Sequence, residues 1–304
     1  MATNNVKQSK NNLKIIGLLV ENSLKSGIYK NKDGIDTNYI SGTLTVRVPQ
    51  NVSGKDEIEE IPVSTWVPET TSTGAANPAY ESMKRAMDSY ISLAVCDDES
   101  KATKVMINSA NITENIYSMD GERVFCTPRI QANFINSITN PGNYTPEATF
   151  LVDMVVGNIE DEVDKENIST GRLKIKGMIC RYNGTMDTID FFVENKNAID
   201  YIRTYWKLGD TVQVSGKVRF TVKTEQIEVP TAFGDPIVKT KTINCRELII
   251  GSQTEDLPEE QKFTKEEIEK GLKLRNEIIE SAKSKAKTKK TTTTTTKSTN
   301  PYGF

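Results

Sequence analysis

One order of elements occurs twice along this chain, and it constrains the fold more than any other feature. Three runs alternate apolar with polar residues, one segment has a helical period, and two long alternating runs follow. In the first copy the runs are LKIIGLLVEN from Leu13, NYISGTLTVRV from Asn38 and EIPVSTWVPE from Glu60, then TKVMINSANITENIYS from Thr103 and RVFCTPRIQANFINSI from Arg123. The second copy has ATFLVDMVVGNIEDEV from Ala148, GRLKIKGMICRY from Gly171 and MDTIDFFVE from Met186, then DTVQVSGKVRF from Asp210 and TKTINCRELIIGS from Thr240. The helical segment of the first copy runs from Pro78 to Ala94, where Tyr80, Met83, Met87, Tyr90, Ile91 and Ala94 form one stripe. That of the second runs from Asn197 to Trp206, with Ile199, Ile202, Tyr205 and Trp206 on one face, a cap at Asn195 or Asn197, and Gly209 to end it. Corresponding elements lie about 110 to 135 residues apart, a spacing that means duplication of a whole domain rather than a short solenoid repeat.

A five-stranded barrel with its helix between the third and fourth strands is the oligonucleotide-binding fold. The expected architecture is therefore all-β: two tandem five-stranded barrels of this kind, two short helices, a C-terminal helix and a disordered tail. The expected boundaries are a disordered arm over 1–12, barrels over 13–140 and 147–253, an acidic linker and amphipathic helix over 254–282, and a disordered Lys/Thr-rich tail over 283–304. Gly42, Gly177 and Gly216 fall mid-strand, where a small barrel's wall must bend. NAIDYIRTYW, KLGDTVQVSGKVRF and TKTINCRELIIG together resemble the second half of a bacterial single-stranded DNA-binding protein, over residues 148–252 directly and 13–138 by analogy. The resemblance implies a protein that coats single-stranded DNA without strong sequence preference and without catalysis or cofactor, in DNA replication or recombination. The composition, rich in Asn, Lys, Thr and Ile, suits a bacteriophage version.

Period two assigns candidate contacts. Val212, Val214, Val218, Phe220 and Val222 point to a core while Lys217, Arg219 and Lys223 point away. Likewise Leu173, Ile175 and Ile179 point in, and Arg172, Lys174, Lys176 and Tyr182 point out. Phe192, out of phase with Ile189, Phe191 and Val193, joins that outer set. In the first copy the outward set contains Tyr39, Arg47, Trp66, Arg123, Phe125 and Arg129. Cations to neutralise phosphates and rings to stack bases are the two ingredients of sequence-tolerant strand binding. Taken singly, an exposed cation serves equally well as a solubilising or edge-guarding residue, Phe192 as core or interface, and Trp66 as a contact between domains. Tyr205 and Trp206 suit plugs of the barrel.

The chain contains no histidine, which removes the commonest general base and zinc ligand, and its four cysteines are far apart. No metal site or cofactor is expected. The apolar runs are too short for a membrane span, so a soluble cytoplasmic protein is expected. Net charge is −2, and each copy carries 14 basic and 16 acidic residues, so affinity should be modest or depend steeply on salt. The acidic run Glu160, Asp161, Glu162, Asp164 and Glu166, placed in a loop, would repel a strand passing there. At the C-terminus Tyr302 and Phe304 are similar to the partner-docking tip of the same DNA-binding family, without its acidic residues, which would make replication proteins the partners. The tail lysines offer a cationic arm instead, and the tail suits an inert solubilising segment equally well. Two barrels per chain suggest a homodimer presenting four. The rival reading is a protein-interaction scaffold of a replication or virion assembly built on the same barrels.

Overall fold

A computed structural model describes residues 6–229, 237–254 and 256–293. The first unit contains β1 (Asn11–Asn22), β2 (Lys25–Lys30), β3 (Asp36–Val52), β4 (Lys55–Pro68), α1 (Pro78–Ser89), α2 (Leu93–Cys96), β5 (Lys104–Ser118), β6 (Val124–Gln131) and the short β7 (Asn136–Ser137). The second contains β8 (Glu147–Val163), β9 (Ser169–Cys180), β10 (Met186–Val193), α3 (Lys196–Tyr205), β11 (Thr211–Val229) and β12 (Ile237–Gln253). A last helix, α4, spans Lys265–Thr293.

Strand pairing closes each unit into a ring. In the first, β1 pairs with β3, β3 with β4, β4 in parallel with β6, β6 with β5, and β5 returns to β1. The second repeats the circuit as β8, β9, β10, β12 and β11, again with one parallel pair, β10 with β12. These are two tandem oligonucleotide-binding-fold barrels. Their first strands pair antiparallel, Asn11 with Val152 through to Ile16 with Glu147, so all the strands join in one sheet.

Inward residues fill each ring at period two. Leu13, Ile15, Leu44, Ile61, Ile107 and Ile130 are fully buried in the first barrel, as are Ile175, Phe191 and Val214 in the second. α1 closes the first barrel with Met83; Asn77 caps it, and Pro78 occupies its first position, where the missing N–H costs nothing. α3, capped by Asn195, closes the second with Ile199 and Ile202, beside a buried Trp206 whose indole N–H donates to Gln253. A Cβ at Gly216 would collide with the carbonyl oxygen of Ile249, at the point where the register of β11 shifts. That is the bend expected there.

Several expectations are corrected. The stripe from Pro78 to Ala94 is two helices, because Tyr90 turns to an extended conformation and ends α1. Tyr205 is exposed on α3 and plugs nothing. The expected N-terminal arm is tied down from Lys7 onward. The Lys7 ammonium donates to the carbonyl of Lys262, Ser9 exchanges backbone and hydroxyl bonds with Cys180, and β1 starts at Asn11. The acidic run is not a loop up to Val163: Glu160, Asp161 and Glu162 lie in β8 and meet Lys174, Arg203 and Arg172. The final helix does not stop at 282 but continues to Thr293, with Lys283, Lys285, Ala286 and Lys287 favouring helix in the turn after 282. Residues 294–304 of the expected tail lie outside the described residues.

Helix α4 is a strap across both barrels. Phe263, just before it, with Ile268 and Leu272, packs on Val155, Met178, Cys180 and Met186 of the second barrel, and Arg275 reaches Glu114 of the first.

Candidate nucleic-acid interface

The outer wall of the first barrel is formed by alternate residues of β3, β4, β6 and β5. At one end lie three aromatic rings. Tyr39 on β3 and Trp66 on β4 are diagonal neighbours, since Ser41 is the direct partner of Trp66; their rings stack at 5.8 Å and 29°. Tyr29 meets Trp66 edge-on at 5.2 Å and Tyr39 at 6.0 Å. Tyr29 arrives on β2, a short strand in the connection between the first two barrel strands, and Gly27 opposite Tyr39 is what lets β2 lie there. A Cβ at that position would sit 2.6 Å from the Tyr39 ring. Trp66 remains 50% exposed despite both neighbours. A large ring held by two others and still half exposed offers a base a surface to stack on.

From Trp66 the wall continues through Ser64, which pairs with Gln131 on β6, to Arg129 and then to Phe125. Phe125 stacks on Tyr117 of β5 at 5.3 Å and 19°. The two aromatic clusters stand roughly eight residues apart along the strands, about 25 Å, with Arg129 between them and Arg123 at the far end. Neither arginine has a carboxylate within ion-pairing distance among the described residues. Four expected contacts, Tyr39, Trp66, Phe125 and Arg129, thus share one face, and Arg123 is exposed one residue before β6 begins. Arg47 occupies the same wall but is engaged, by Glu60 through two bonds of 2.9 and 3.1 Å and by Glu99 at 3.1 Å. Tyr29 escapes sequence reasoning because KSGIYK has too few apolar positions to stand out as a strand.

The equivalent wall of the second barrel is closed. The β3–β4 hairpin of the first barrel lies across it. Val52, fully buried, packs on Phe192 and Ile249, and the Gln50 side chain donates to the carbonyl of Val218 and accepts from the N–H of Ala148. Phe192 is only 9% exposed and is covered by the Arg172 guanidinium at 4.7 Å. Arg219, also 9% exposed, binds Glu57 of the hairpin at 2.8 Å, Glu194 at 2.6 Å and Glu247 at 3.2 Å. Arg172 holds Glu162, Glu194 and Glu247 in turn. The expectation of open, strand-binding side chains fails for Phe192 and Arg219, because a hairpin from the other domain buries them. It weakens for Lys174, which is shared between Glu160 and Asp190. Lys176 and Tyr182, the latter 80% exposed, stay open to solvent, and Lys217 is half-buried without an ion-pair partner among the described residues. The side chain of Lys223, and Tyr302 and Phe304, lie outside the described residues.

Burial opposes ionisation of Glu194, but bonds from Arg219, Ser53 and Arg172 outweigh it and hold the carboxyl down from 4.5 to about 2. Glu162 is lowered in the same way, chiefly by Arg172. A carboxyl depressed in the folded state stabilises the fold fully above its ordinary 4.5, and that contribution is lost as pH falls toward about 2. Asp187, raised by burial, acts with the opposite sign: its cost to the fold is relieved on acidification. The expected result is that Glu194→Gln melts below the unsubstituted protein at pH 7, and that the gap closes as pH falls from 4.5 toward 2. Thermal melts at a series of pH values check it; a gap that stays constant removes the argument.

No match is found among curated proteins. The chain is similar to a deletion variant of the single-stranded DNA-binding protein from Thermus aquaticus, at 10% identity and a TM-score of 0.43, over 83% of this chain and 98% of that one. It is also similar to a replication protein A heterotrimer bound to single-stranded DNA, at 8% identity and a TM-score of 0.22, over 90% of this chain and 70% of that one. The YorF family model matches residues 10–285, from the lead-in to the first barrel strand through most of α4. With both barrels and most of the strap inside the match, the chain belongs to the YorF family.

Proposed function

We propose that this protein binds single-stranded DNA along the outer wall of its first barrel, without sequence preference and without catalysis. The observation that carries the proposal is the half-open cluster of Tyr29, Tyr39 and Trp66. Three rings fixed against each other expose a π-face that any base can cover. Arg129 and Arg123 follow along the same wall to meet phosphates. With so few uncommitted cations, stacking supplies most of the affinity; two phosphate contacts correspond to a salt slope of only about −1.4 in log K against log salt. A role in DNA replication or recombination, in a bacteriophage setting that the composition suits, belongs to the same proposal. So do a homodimer presenting four barrels and the docking of replication proteins on Tyr302 and Phe304.

Tryptophan emission tests it. Trp206 is buried and bonded to Gln253, so it gives a constant background, while Trp66 reports on the wall. Oligo-dT added at low salt is expected to quench Trp66. Unchanged emission together with unchanged anisotropy of a labelled strand would reject strand binding and leave the scaffold reading. Equal affinity for duplex would remove stacking as the mechanism.

A further inference from the structure

Beyond the wall, a cleft of about 270 Å³ separates the β5–β6 hairpin of the first barrel from β9, β10 and β12 of the second. Its sides carry Cys126 and Pro128 from β6, Lys176 from β9 and Arg246 from β12, with Arg275 of α4 also lining it. The charges there do not cancel. Arg275 is committed to Glu114 by two bonds of 2.6 Å, and Asp190 to Lys174 at 3.2 Å. Lys176 and Arg246, both exposed, have no carboxylate partner among the described residues. Two like charges therefore share a concave site between two barrels, where the field of each reinforces the other.

The cleft also adjoins the proposed strand path. β6 pairs with β5 along its length but with β4 only at Ile130 and Gln131, so among the described residues Val124–Arg129 has no strand on its outer edge. Successive side chains of a strand point to opposite sides. Phe125 and Arg129 therefore belong to the wall, while Cys126 and Pro128 line the cleft. A chain that leaves the Tyr117–Phe125 stack has only the thickness of one open strand to cross before its phosphates reach Lys176 and Arg246.

We infer that the inter-barrel cleft is a phosphate subsite: Lys176 and Arg246 hold phosphodiester groups of the single strand after it rounds the open edge of β6. This rests on the proposed strand binding and extends it to a continuous path over both barrels. The second barrel thus contributes through its rim, although its central wall is closed. The same two cations would also suit a free polyphosphate, and the test separates the two sources.

Cys126 is the exposed cysteine of the four and lies inside the cleft, so its alkylation by a maleimide, located by peptide mass, reports occupancy. An oligo-dT of roughly 20 nucleotides, longer than the site of about 4–16 that one barrel covers, is the probe. The expected result is that it slows alkylation of Cys126 several-fold and leaves Cys96 unchanged. In Lys176→Ala/Arg246→Ala the protection disappears and the salt slope of binding becomes shallower by about 1.4, that of two phosphate contacts, while Trp66 is still quenched. Both substitutions are at exposed positions and leave the core intact. Quenching of Trp66 with no protection of Cys126 overturns the subsite and leaves wall binding standing; no quenching overturns the proposed function itself. Protection by inorganic tripolyphosphate but not by oligo-dT also overturns the strand path, assigning the cleft to a free polyphosphate.

Discussion

Trp66→Ala lowers affinity for single-stranded DNA by roughly 5- to 150-fold, the equivalent of the ~1–3 kcal/mol that one base–aromatic stack contributes. Two features place the effect toward the upper end. The ring is preorganised by Tyr29 and Tyr39, so little rotamer freedom is lost on binding. Removing it also takes one of two ring partners from each tyrosine, leaving them only each other and loosening their orientation. Because Trp66 is half exposed, and its strand is held by pairing to β3 on one side and β6 on the other, the melting temperature should change little. Trp66→Phe should keep most of the affinity, since a phenyl face still stacks. Labelled-strand anisotropy with a thermal melt as control measures both. An alanine variant that binds as tightly as the parent places the strand elsewhere.

The alternation of β3 and β4 placed Tyr39 and Trp66 on an outer wall correctly, because period two within a strand is a local property that a barrel preserves. The same alternation placed Phe192 and Arg219 outward, and there it was incomplete. Both do point out of their own barrel, but Val52 and Glu57 come from more than a hundred residues away to cover them. No periodicity within a strand encodes what lies on top of it. The hairpin around Ser53 and Gly54 did carry one usable sign. A run of acids from Asp56 to Glu60 stands opposite a barrel whose outward residues include Arg172 and Arg219, a charge complement between two distant segments. Tyr29 was invisible for a different reason, lying in a six-residue strand that pairs with β3 at the edge of the sheet. The length of α4 was missed because its last turns lack an apolar stripe. Residues chosen for helix propensity look the same to a hydrophobic-period reading as residues chosen for solubility.

Arg275→Ala should be the most damaging single change at the strap. The Glu114 side chain is only 2% exposed and takes both of its strong bonds from Arg275, with a third from the N–H of Thr188. Asp187 is adjacent, accepting from the N–H of Glu114 at 3.0 Å and from Arg181 at 2.6 Å. Without Arg275 a carboxylate is left buried beside another acidic group, and breaking a buried pair from one side costs about 3–5 kcal/mol. Roughly 2–4 °C per kcal/mol then predicts a fall in melting temperature of about 6–20 °C. Arg275 anchors α4 to the first barrel, whereas Phe263, Ile268 and Leu272 anchor it to the second, so proteolysis within α4 should accelerate along with the loss of stability. Removing both charges separates the cost of an orphaned ion from the worth of the pair. Glu114→Leu/Arg275→Met buries no charge and fills similar volume, so it should recover most of the loss and could exceed the parent. If the double variant is as unstable as Arg275→Ala alone, the instability comes from lost helix docking rather than from a carboxylate stranded between the barrels.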